Sequence, residues 1–170
     1  MEYKLKYIST SGVAEATAKA ELYRCLNEPE EAESICRDIL TIEPRHQLAL
    51  RLLGLALTDQ FTGDGSDRYL EAEQTFHQLS DTYEQLYYTG ILYERRGKAQ
   101  LRAGQPPHIL LPLFEQALLS FGEAEKIRPQ GNDDAILRWN RCVRLLQTPA
   151  HVWEQEDAPF DAHDAPPTRE

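Results

Sequence analysis

Apolar residues recur along this chain at separations of three and four, the spacing that gathers side chains on one face of an α-helix. The clearest copies are Ala32, Cys36 and Ile39, then Ala72, Phe76 and Leu79, then Ala117, Phe121 and Ala124. Each sets a small residue where a second helix can approach closely and a larger one a turn later to fill the groove. Pro44 and Pro129 follow the first and third copies and stop those helices, while Glu84 stands at the matching place after the second. Between them lie other apolar patterns with a small residue at the waist: Leu50, Leu53, Gly54 and Leu57; Leu86, Gly90 and Tyr93; the weaker Ala16, Ala20 and Tyr23; and Ala135, Trp139 and Cys142. The pattern predicts helices over 13–26, 29–42, 46–60, 67–80, 82–103, 111–127 and 132–147. Start signals agree with this division. Asn27 with Glu30, and Asp81 with Glu84, have capping-box spacing, and Asn132 precedes two aspartates that suit a first helical turn. Gly104 is placed to end the fifth helix, Gln105-Pro-Pro-His108 to form a stiff connector, and Pro112 to open the sixth.

The small waist residues Ala20 and Gly54 are 34 residues apart, and later offsets are longer. On these residues the chain resembles the tetratricopeptide repeat family, whose 34-residue unit is a helix-turn-helix with the pattern W-x2-L-G-x2-Y, then A-x3-F, then P. The resemblance covers roughly residues 13–147. It is fuller in the second helix of each pair than in the first, where Ala16, Leu50 and Leu86 replace the family tryptophan. It implies an all-α fold: a right-handed superhelix of antiparallel helix pairs, with three imperfect repeats and a closing helix. Two surpluses interrupt the period. About six residues are added at Phe61–Arg68, where Gly63 and Gly65 oppose a continuous helix, and about 15 in the third repeat, which extends its first helix through Tyr87–Leu101.

Composition narrows the class. Leu and Ala number 40 against 11 for Val and Ile, the balance of a helical protein. At 170 residues the chain is one domain's worth, divided here into an N-terminal segment 1–12, a helical domain 13–147 and a tail 148–170. The net charge of -10 disfavours a general grip on nucleic acid. No apolar run is long enough to span a bilayer and the N-terminus lacks an apolar signal core, so a soluble, cytoplasmic protein without membrane contact is expected. Cys25, Cys36 and Cys142 form no C-x-x-C pair and read as buried thiols in helices. No two of the five histidines stand three or four apart, so no metal pair is preset. The polar loop around Asp59, Asp64, Ser66 and Asp67 has neither the EF-hand ligand order nor the ending of a phosphate loop. No nucleophile lies in a catalytic motif, and neither cofactor nor metal is expected. From Pro149 onward four prolines and six acids in 22 residues predict a disordered acidic tail, with Trp153 and Phe160 as either docking anchors or a cap on the helical stack.

The functional expectation is non-enzymatic binding of a protein or peptide, as an adaptor or assembly factor. In stacked helical pairs the first helices line the inner face. The family positions map there onto Thr17, Glu21 and Arg24; Leu48, Arg51 and Leu55; Glu84, Tyr87, Ile91 and Arg95; and Ile136, Asn140 and Arg144 from the closing helix. Apolar patches with scattered arginines suit an amphipathic or extended partner segment. Leu48, Leu55 and Ile91 fit a plain core role as well. The Lys and Asn clamp with which some family members hold chaperone carboxylate tails is not reproduced by Thr17, Glu21, Arg51 and Tyr87. Arg138, Arg141 and Arg144 make a separate basic stripe on the closing helix. A dedicated secretion chaperone, small and acidic with three repeats, is an alternative class, as is a non-catalytic subunit of a larger enzyme.

Overall fold

A glycine in one helix against an aromatic ring in the next makes the closest helix contacts in this chain. The computed structural model describes residues 2–63 and 67–148. After a 3-10 turn at Thr10–Gly12 come α1 (Val13–Cys25), α2 (Pro29–Ile42), α3 (Gln47–Asp59), α4 (Asp67–His77), α5 (Thr82–Arg102), α6 (Pro107–Lys126) and α7 (Asp134–Gln147). They pack in sequence as antiparallel neighbours, and α1 also touches α3, as α3 touches α5. The fold among the described residues is all-α. None of these helices is long and apolar enough to cross a membrane.

The close contacts fall where the small waist residues stand. A methyl group on Gly54 would lie 2.3 Å from the Phe76 ring, and one on Gly90 would lie 2.4 Å from the Phe121 ring. Both phenyl groups are at most 1% exposed. Gly97 repeats the arrangement one layer along α5, with Phe114 of α6 at 2.9 Å from the position of the missing methyl. The long α5 therefore carries two ring seats against the long α6. Around these contacts the core runs in one cluster through Ala20, Cys36, Leu53, Leu57, Ala72 and Phe76, and in another through Ile91, Leu110, Phe114, Ala117, Phe121 and Cys142. Half-buried Leu55 and Tyr88 touch both clusters.

Helix ends explain where the sequence reading holds and where it shifts. Asp81 accepts a hydrogen bond from the Glu84 amide at 2.9 Å, as its spacing predicts. His46 caps α3 by accepting from the Ala49 amide through Nδ1. Asn132 accepts from the Asp134 amide at 2.9 Å. Asn27, in contrast, does not cap α2. It lies beyond the end of α1 at φ 61, the left-handed conformation that Asn tolerates, and Glu28 occupies the N-cap. The sixth helix opens at Pro107, where a missing amide hydrogen costs nothing, and not at Pro112. Pro112 lies inside α6, and both it and His108, whose carbonyl loses its helical partner, are exposed, so water can satisfy that carbonyl. Cys36 and Cys142 are buried as expected, but Cys25 at the end of α1 is exposed. The acidic tail, with Trp153 and Phe160, and residues 64–66 of the glycine loop lie outside the described residues.

On one side of the molecule α2 is tied to α4 by charge. Glu33 accepts from Arg37 at 2.7 Å, from Gln60 at 2.7 Å and from Arg68 at 2.8 Å, and Arg37 reaches Glu71 at 2.7 Å. Burial pushes the Glu33 carboxyl up, but those three donors outweigh it and hold the group below its ordinary 4.5.

Two predictions follow from these contacts. Gly90→Ala is expected to cost about 1–3 kcal/mol by urea denaturation, and less in a Phe121→Leu background, where the ring that the methyl strikes is gone. Equal costs in both backgrounds would place Gly90 away from that ring. Because the folded chain holds Glu33 below its unfolded value, its contribution is present above about pH 4.5 and lost as the pH falls through the folded value. Glu33→Gln should therefore be less stable near neutral pH and lose less stability than the native chain on acidification from about pH 7 to about pH 3.

Candidate partner-binding face

The odd-numbered helices carry a line of linked charges across one face of the protein. It begins on α1, where Arg24 Nε donates to Asp59 Oδ2 at 2.6 Å, although 35 residues separate the two. Asp59, at the last position of α3, also accepts from Arg95 of α5. The same guanidinium nitrogen reaches Thr58 Oγ1 at 2.6 Å and the Leu55 carbonyl at 3.2 Å. One turn of α5 then passes the line on through Glu94, whose side chain is 0% exposed. Glu94 pairs with Lys98 on its own helix and with Arg138 of α7 at 3.5 Å. All four odd helices are thus joined by side chains, with Glu94 buried beneath Lys98 and Arg138, and Asp59 partly open beside Arg24 and Arg95.

Electrostatics differ along the line. Burial lowers the Arg95 pKa below the ordinary guanidinium range, Asp59 opposes that effect, and the nearby positive charges of Arg24 and Arg138 add to it. Arg95 stays charged at physiological pH all the same, as a guanidinium does. At Arg138 burial also acts downward, but the Glu94 charge and the Tyr87 hydroxyl more than offset it and the pKa is raised. Nearer the start of α5, Arg51 of α3 pairs with Glu84 at 2.9 Å. Tyr83 donates to Asn132 Oδ1 at 3.1 Å, and burial, reinforced by the Asp134 charge, pushes its phenol up to about 12. Tyr83 stacks on Tyr87, which meets Tyr88 edge-on and leans against Phe121.

Of the groove residues expected from the sequence, Arg24, Arg51, Glu84 and Arg95 fall on this face and are joined in its ion pairs. Tyr87 is half-buried beside them, and Ile136 and Asn140 are half-buried on α7. Glu21 and Arg144 are exposed. Leu48 and Leu55 are half-buried and pack against the core. Two assignments are corrected. Ile91 is 1% exposed and belongs to the core around Phe121, so it lines no groove. Thr17 is also buried, because its hydroxyl turns back to donate to the Val13 carbonyl at 2.8 Å, which leaves its methyl inside.

Sequence reasoning did not place Thr58, Asp59, Glu94, Lys98 and Arg102 on this face, and treated Arg138 as part of a separate stripe. Helical spacing carries a signal for some of them. Asp59 follows Leu55 by four, and Lys98 and Arg102 continue the Tyr87, Ile91, Arg95 stripe by three and four. With Phe61, the six residues Thr58, Asp59, Arg95, Lys98, Arg102 and Arg138 enclose a polar cavity of about 270 Å³. Among the described residues no three His, Cys, Asp or Glu side chains converge as metal ligands. Burial pushes the Cys36 and Cys142 thiols up to about 12, which keeps both protonated and unreactive. A scan against protein-family models matches no family, and a search of curated proteins finds no match.

The buried carboxylate tests this arrangement. Glu94→Gln should cost about 1.5–3 kcal/mol, the usual worth of charge-assisted hydrogen bonds that lose their charge. An unchanged denaturation midpoint would mean that Lys98 and Arg138 draw nothing from Glu94.

Proposed function

We propose that the chain is a tetratricopeptide-like stack, with three imperfect helix pairs and a closing helix wound as a right-handed superhelix. On this reading it acts as a non-enzymatic binding module, an adaptor or assembly factor that holds a protein segment against the face of α1, α3, α5 and α7. What supports the repeat is the recurrence of one contact. Gly54 against Phe76 and Gly90 against Phe121 repeat one contact, and Ala20 and Cys36, both fully buried in one cluster, stand at the matching places earlier in the chain. The intervals between partners are 16, 22 and 31 residues, lengthening by the surpluses that the loop before α4 and the extended α5 introduce.

The observation that carries the binding reading is the line of charges from Arg24 to Arg138. Polar side chains on the odd helices converge on one face, while the small and aromatic positions of the even helices are consumed in packing. A face with half-buried guanidinium groups, Tyr87 and partly covered leucines offers the side-chain types that dominate recognition of a bound segment.

A photo-crosslinking side chain placed at Glu21 or Arg144, both exposed on odd helices, should capture the native partner, whereas one at exposed Glu30 of α2 or Glu115 of α6 should not. Capture from the even helices alone would contradict the assignment. Arg51→Ala and Tyr87→Ala should each weaken that partner by at least about 1 kcal/mol in a direct titration. Because Arg51 is paired with Glu84 and Tyr87 packs on Phe121, the fold of each variant is checked by circular dichroism in the same experiment.

A further inference from the structure

The cavity at the end of the charged face is positive in a chain whose net charge is -10. Arg95, Lys98, Arg102 and Arg138 line it, and Arg24 reaches its one lining carboxylate, Asp59. That carboxylate already accepts from two guanidinium groups, and Glu94, the only other acid bonded to these side chains among the described residues, is sealed from water and shared by Lys98 and Arg138. Five cations thus crowd two carboxylates. Arg102, in the last turn of α5, pairs with no acid among the described residues and is exposed. Arg24 and Arg138 both act on Arg95 as like charges, which Asp59 and Glu94 oppose. About 270 Å³ is room for one or two acidic side chains, with forked guanidinium donors on two walls.

The chain itself supplies a matching sequence at a matching distance. Tyr83 meets Asn132 near the starts of α5 and α7, and Glu94 meets Arg138 farther along both, so the two helices run in the same sense. The end of α7 therefore lies toward the Lys98 and Arg102 end of α5. From Arg138 to Thr148 is ten residues, about 15 Å of helix. Glu154, Glu156 and Asp157 follow Thr148 by six to nine residues, enough chain to span about 20–30 Å when extended. Asp161 and Asp164 come next, and between 149 and 164 there is no Lys or Arg.

We propose that this cavity is a docking site for a carboxylate-rich peptide segment, and that its occupant is residues 154–164 of the same chain. The inference rests on the reading of the odd-helix face as a binding face and adds the ligand chemistry at one end of it. Docked there, the segment covers the Arg95 and Arg138 end of the face and leaves the Arg51 and Tyr87 end open. An incoming partner with its own acidic segment would have to displace it.

The test uses the full chain and a fluorescent peptide with the sequence of residues 149–170. In one variant Glu154→Gln, Glu156→Gln, Asp157→Asn, Asp161→Asn and Asp164→Asn neutralise the chain's own segment. That variant should bind the added peptide at least tenfold more tightly than the unmodified chain does. Adding Arg102→Glu should remove the gain. Lys19→Glu, the same charge change at an exposed α1 residue that does not line the cavity, should not. Should Arg102→Glu disturb the fold, Arg102→Gln replaces it with a smaller loss expected. The proposal is overturned if the neutralised chain fails to bind the peptide, if both chains bind it equally, or if Lys19→Glu weakens binding as much as Arg102→Glu. Equal binding would leave the cavity open to acidic partners from outside. Crosslinking of the native partner at Glu21 is unaffected by any of these results, so the two readings fail separately.

Discussion

The distance between paired helices is set where a phenyl ring lies on a glycine. With no side chain at Gly54 and Gly90, α4 and α6 bring Phe76 and Phe121 up to the neighbouring backbone, and even a methyl group would have to displace the ring. Once that spacing is fixed, Phe76, Phe114 and Phe121 of the even helices are held in the core together with most of α3, and the ends of α1, α3 and α5 keep polar residues on the side turned away. The charged face depends on this division. Asp59 can receive both Arg24 and Arg95 only because α1, α3 and α5 lie side by side, and buried Glu94 reaches Arg138 because α7 runs past it.

Burying Glu94 is costly unless its partners are well placed, and here they hold charge in a definite order. Glu94 is buried while Lys98 and Arg138 stay partly open, and five cations gather around two carboxylates, so a protein that is acidic as a whole presents a positive patch on one side. On the proposed binding reading, that inversion of sign would select among partners, since like-charged alternatives are repelled from the remaining surface while an acidic segment is drawn to this one. The ion pairs also lie across helix junctions. They tie α1 to α3, α3 to α5 and α5 to α7.

Most of the fold was legible from the residues. The periodic runs place α2 at its observed limits and α3, α5 and α7 within a residue or two, because each has a clear apolar stripe, and α1 within one residue although its stripe is weak. The misses have separate causes. Pro112 looks like a helix start, but two earlier prolines take that role and exposure lets the interior one stay. Asn27 has a capping residue's identity and a terminator's backbone. The site was less legible because its partners are distant in sequence: Arg24 and Asp59 are 35 residues apart, and Glu94 and Arg138 are 44 apart. A helical stripe shows that residues share a face. It does not show that Glu94 faces inward, nor that the Thr17 hydroxyl turns onto its own backbone.

The central claim is that recognition takes place on the face shared by α1, α3, α5 and α7. Hydrogen exchange of the full chain, measured with and without its native partner, addresses this directly. The account predicts added protection along α1, the second half of α3, α5 and α7, with α2, α4 and α6 exchanging as before. Protection gained on the outer surfaces of α2 and α6, with the odd helices unchanged, would contradict it.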